Sequence, residues 1–101
     1  MRKALVRVQG KDAAVLEERA EGYTLTYRGN YEDGPVSLSM PVRAEPYHFD
    51  HFPSFFDGLL PEGWQLDAFL RAAKLDRTDY MGQLLRVGAD TVGDVTVEVM
   101  P

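Results

Sequence analysis

Two stretches of strict two-residue alternation constrain this chain most. Tyr23-Thr24-Leu25-Thr26-Tyr27 places two tyrosines and a leucine on one side and two threonines on the other. Asp94-Val95-Thr96-Val97-Glu98-Val99 does the same with valines against polar residues. Period two, carried by β-branched and aromatic side chains, is the signature of a strand with one face on a core. Such a strand needs partners, because an isolated hairpin is marginal in water. Lys3–Val8 and Ala13–Glu18 supply them, separated by Gln9-Gly10-Lys11-Asp12, and Glu21-Gly22 makes the next turn. Short connections between consecutive strands predict an antiparallel meander. Val36-Ser37-Leu38-Ser39-Met40 alternates again and reads as a fourth strand, ended by Pro41, with Asp94–Val99 returning as the fifth.

The pattern changes in the second half. Residues 41–61 carry Pro41, Pro46, Pro53 and Pro61 and a run of aromatic residues from Tyr47 to Phe56. They read as a loop folded over the core, with one helical turn at Ser54–Gly58. Beyond it Leu66, Phe69, Leu70 and Ala73 recur at helical spacing, and Pro61 suits the first position of that helix. Lys74 and Arg77 complement the end of its dipole. Thr78 is the expected N-cap of a second helix over Asp79–Val87, with Gly88 as its stop. The fold class is therefore α+β: a small antiparallel sheet of about five strands with two main helices packed on it, a single domain over residues 1–101.

Charge and composition exclude whole classes of function. Eleven basic residues against sixteen acidic ones leave a formal charge of −5, which opposes phosphate backbones, so direct nucleic-acid binding is not expected. The absence of Cys removes disulfides, thiolate nucleophiles and Cys-based zinc sites, and fits a cytoplasmic location. No apolar run is long enough to span a membrane, and Arg7 interrupts the N-terminal run before it can form a signal-peptide core.

Candidate chemistry is sparse. His48, Asp50 and His51 are metal-ligand types, but crowded into four residues of loop they are poorly spaced for a tetrahedral site, and no metal is expected. Gly88–Gly93 follows a helix and opens a strand, the reverse of a phosphate loop, so it reads as a reversing turn. Phe56-Asp57-Gly58 has the residues of a kinase magnesium motif in the wrong order, without the accompanying loops. No nucleophile, base and oxyanion donors assemble. The chain reads as non-catalytic, with no cofactor.

Trp64 is the informative residue. With Leu66 at zero on a helical wheel, the apolar stripe centres near zero and Trp64 falls near 160°, alongside Ala68 and Arg71. An outward Trp beside small residues and an Arg has the composition of a binding hot spot. The competing placement folds Trp64 back onto Phe55 and Phe56 as part of the core.

The stretch Phe56-Asp57-Gly58-Leu59-Leu60-Pro61-Glu62-Gly63 resembles the F-x-x-L-L-P-E-G signature of the N-terminal subdomain of HipA-type kinases. A second resemblance runs from Asp79 to Val95, through the paired leucines Leu84-Leu85, Gly88, Asp90 and Gly93, with Asp94 where the family commonly has Ala. In the two-component systems this subdomain precedes a large kinase core that phosphorylates an aminoacyl-tRNA synthetase. This chain ends at Pro101, about where the subdomain ends, and no kinase residue has a matching position. It is thus similar to the free-standing subdomains (the HipS family) of tripartite HipBST toxin–antitoxin systems. The resemblance implies an antitoxin that binds the HipT Ser/Thr kinase directly, in a ternary complex with the DNA-binding HipB. The expected kinase-binding residues are Trp64, Leu59, Leu60, Glu62 and Arg71. Two other roles fit the same resemblance: a non-catalytic N-terminal piece of a HipA-type kinase, and an assembly module that links the kinase to HipB.

Overall fold

A computed structural model describes residues 1–91 and 93–101. Five strands form one antiparallel sheet: β1 Lys3–Val8, β2 Lys11–Arg19, β3 Gly22–Tyr27, β4 Tyr47–Phe49 and β5 Val95–Met100. Their spatial order is β4-β3-β2-β1-β5, so the last strand closes against the first. Register puts like with like. Ala4 faces Leu16, which faces Leu25, and Val6 lies between Ala14 and Val97. These residues are all buried and form one face of the sheet. The opposite face carries ion pairs across the strands, Lys3 to Glu17 and Arg7 to both Asp12 and Glu98.

Three helices follow β4: α1 Ser54–Asp57, α2 Gly63–Ala73 and α3 Tyr80–Val87, with a 3-10 turn at Gly88–Asp90. Phe56 of α1 and Met81 and Leu84 of α3 are fully buried against the sheet. The α+β class and the antiparallel sheet agree with the sequence. The helix that closes the core beside α3 is the short α1. Among the described residues α2 contributes no member to the main core.

The fourth strand lies elsewhere than expected. Val36–Met40 is not a ladder strand; Ser37 and Met40 form only an isolated bridge, and Leu38 is 93% exposed. Tyr27 explains the difference. Its buried hydroxyl accepts from the Val36 amide at 2.9 Å and donates to the Met40 carbonyl. Both ends of the segment are thus drawn inward by one side chain, which mimics alternation without a neighbouring strand. The true fourth strand, Tyr47–Phe49, spans three residues, too few for a periodic signal.

Local signals also shifted at the helix ends. Asp79, not Thr78, caps α3, its carboxylate accepting from the Gly82 amide at 3.0 Å. Pro61 lies outside α2, whose N-cap is Glu62. Lys74 ends α2 in the left-handed region at φ 57°. The reversing turn read at Gly88–Gly93 includes Val92, which lies outside the described residues. Around it, Gly88 packs so closely on β5 that an added Cβ would stand 2.5 Å from the Val97 carbonyl oxygen. The Thr91 hydroxyl donates to the Val95 carbonyl. These contacts fall on the first half of β5, at Val95 and Val97, while Glu98 and Val99 stay exposed.

Candidate functional site

The outward face of α2 is built by its amphipathic phase. Leu70 is buried and Leu66, Phe69 and Ala73 are half-buried, while Trp64, Ala68 and Arg71 are exposed. Trp64 is 77% exposed, so it does not fold back onto Phe55 and Phe56. Those two rings pack on each other instead, edge to face at 5.2 Å. An indole displayed at this level leaves a large apolar area in water, which association with a partner would recover. Arg71 stands two turns further along the same face, and Glu62 is exposed at the helix N-cap.

The two leucines expected beside Trp64 are placed otherwise. Leu60 is 8% exposed and belongs to the core, so its side chain holds the α1–α2 connection from beneath. Leu59 points to a different hollow, shared with Val8, Pro35, Val36 and Val95. Consecutive residues leaving a one-turn helix diverge in direction, and the sequence carries no signal of which way each turns. Of the five residues expected to bind, Glu62 at the cap and Trp64 and Arg71 on α2 are exposed, while Leu59 and Leu60 are not.

A second hollow, of about 310 Å³, lies on the other side of α2, lined among others by Asp57, Leu66, Tyr80 and Gln83. The sequence reading placed no role on Tyr80 or Gln83. Gln83 lies about 160° from Met81 around α3, outside its apolar stripe, so the sequence gives no sign that it is buried with Met81 and Leu84. His48, Asp50 and His51 are exposed around a larger open hollow of about 480 Å³. Among the described residues no cluster of three such side chains is arranged to hold a metal ion.

Electrostatics hold α3 in place. The Arg2 guanidinium bridges Glu18 of β2 and the capping Asp79, each at 2.8 Å. Hydrogen bonding to Arg2 pulls both carboxyls below their ordinary range, against the opposing effect of partial burial. The same bonds raise the Arg2 guanidinium further above its already high range. The start of β1, the end of β2 and the N-terminus of α3 are therefore tied at one point. Among the described residues no helix is long and apolar enough to cross a membrane.

Comparison with known proteins bears on this architecture. A family model described as the HipA N-terminal domain matches residues 4–98. A Haemophilus influenzae (strain Rd) protein, described as uncharacterized, is 30% identical over 98 residues, covering 97% of this chain and 92% of that protein. A solved structure, the N-terminal domain of HipA toxin, superposes with a TM-score of 0.78 at 28% identity, covering all of this chain and 94% of the other.

Proposed function

This chain belongs to the HipA N-terminal domain family, and from that premise we propose that it is the antitoxin of a tripartite type II toxin–antitoxin system. It acts in the cytoplasm, binds a HipT-type Ser/Thr kinase by protein–protein contact and neutralises it, with HipB as third member. The domain itself performs no catalysis. The observation that carries the reading is Trp64, 77% exposed on a helix outside the main core. Burying that indole against a partner would recover apolar area that α2 leaves in water. Support also comes from the Haemophilus relative, which consists of little more than this domain.

In this reading Trp64 enters the kinase near its active site and obstructs substrate or nucleotide. Arg71 and Glu62 flank it as polar rim contacts. A hot-spot Trp carries about 2 kcal/mol or more of binding free energy, a loss of roughly thirtyfold in affinity on truncation. Co-expression of the kinase with the Trp64→Ala protein is the test. Growth arrest should return while the circular dichroism spectrum and Tm stay those of the wild type. Full protection by Trp64→Ala would overturn the role of this face. Pull-down of the kinase in the absence of HipB separates inhibition from assembly: a module that contacts only HipB leaves the kinase behind.

A further inference from the structure

We propose that α2 is a hinged arm, which opens from the domain as one unit while the sheet, α1 and α3 stay folded. Its seat is slight. Among the described residues no α2 side chain belongs to the main core or packs against it, and Leu70 is the one buried residue of the helix. Leu66, Phe69 and Ala73 are only half-buried. A hollow of about 310 Å³ separates Leu66 from Tyr80 and Gln83 of α3. Side chains that line open space gain fewer close contacts than packed ones. An ion pair joins Asp67 of α2 to Arg77, but both residues are exposed, and such a pair adds little in water.

The chain on either side of α2 is anchored. Leu60 is buried in the core just before it. Beyond it, the side-chain amide of buried Gln83 donates to the Asp76 carbonyl at 3.2 Å and the Arg77 carbonyl at 3.0 Å. The arm therefore spans residues 61–75. Backbone turns left-handed at both of its ends, at Gly63 with φ 59° and at Lys74 with φ 57°. Lys74 carries a Cβ and holds that conformation at a cost. The N-cap residue Glu62 makes no side-chain cap bond. Helix α3 is the contrast within the same molecule. It is shorter, yet it buries Met81, Gln83 and Leu84, and its cap Asp79 is held by Arg2.

Away from the domain, a helix of 11 residues does not persist, since helices shorter than about 12–15 residues are marginal alone in water. Leaving the domain and losing helical hydrogen bonds are thus one event, and sparse burial keeps its free energy low. Trp64 rides on this arm. A partner that grips the indole would also hold α2 closed. Opening needs no partner; only that closure rests on the kinase reading.

Native-state hydrogen exchange of the whole chain alone, followed by ¹⁵N NMR at increasing sub-denaturing urea, is the test. After correction for intrinsic rates, amides of residues 66–73 should exchange about a hundredfold or more faster than those of β1, β2 and α3. Their urea dependence should be much weaker, because opening exposes little surface. Gly10→Ala, in the turn between β1 and β2, strains the domain outside the arm. It should speed exchange in the central strands about fivefold and leave residues 66–73 unchanged. Equal protection and equal urea dependence of α2 and the sheet would overturn the arm. So would faster exchange of residues 66–73 in Gly10→Ala, which would tie them to global unfolding. Either result would leave the co-expression test of Trp64 as it stands.

Discussion

Gly22 opens β3 at φ 122°, and the adjoining edge strand passes directly over it. A Cβ added there would stand 2.1 Å from the Phe49 carbonyl oxygen, where about 3.0 Å is the closest such approach. Gly22→Ala must therefore push β4 away by close to an ångström, enough to break bonds rather than stretch them. β4 is joined to the sheet through only three residue pairs, Tyr23–Phe49, Thr24–His48 and Leu25–Tyr47. Losing two or three hydrogen bonds costs about 1 kcal/mol each. The positive φ adds about 1 kcal/mol more for a residue with a side chain. The expected loss is roughly 3–4 kcal/mol, a large part of the 5–15 kcal/mol typical of a domain this size. Urea denaturation should show it, and Tm should fall by about 15 °C or more. Gly10→Ala is the control. Its φ is 80° but an added Cβ there meets nothing within 4 Å, so it should cost only about 1 kcal/mol. Equal destabilisation by the two substitutions would refute the close-approach argument.

Two further expectations concern the helices. The carboxyls of Glu18 and Asp79 titrate below their ordinary values of 4.5 and 3.8 because Arg2 bonds the charged forms. Their contribution is fully present above those values and is lost as pH falls through the lower folded-state values. Stability measured from pH 6 downward should therefore drop below about pH 4.5, and Arg2→Met should flatten that drop; parallel curves would count against the bridge. At the end of α2, Lys74 holds a left-handed conformation that glycine adopts without strain. Lys74→Gly should raise stability by about 0.5–1 kcal/mol, seen by calorimetry as a rise in Tm of about 4 °C, and no rise would contradict it.

How much was legible depends on how far each signal reaches along the chain. The strands β1, β2, β3 and β5 and the helices α2 and α3 follow from periodicities longer than one turn or one pleat. The angle between Trp64 and Leu66 follows from the helix alone, but whether the first turn lets the indole fold back onto Phe55 and Phe56 was decided by the packing, which leaves it 77% exposed. Leu59 and Leu60 escaped that logic. They leave a four-residue helix, and the direction of each is decided by what lies across the core. β4 and the Val36–Met40 segment exchanged roles for a similar reason. One buried hydroxyl, on Tyr27, satisfies the backbone at both ends of a stretch that looks like a strand.

The hollow beside α2 lies beyond any local pattern. Asp57, Glu62, Tyr80 and Gln83 come from α1, the α2 cap and α3, and nothing in their spacing links them. By itself, the sequence determined an acidic α+β domain with an antiparallel sheet and its family resemblance, and it left Trp64 between an outward position and the core. Periodicity and composition act through neighbours a few residues apart. The tertiary structure alone decided that the indole stays in water and which residues line the hollow between α2 and α3. Those relations are distances between elements, and they exist only once the sheet and helices have packed.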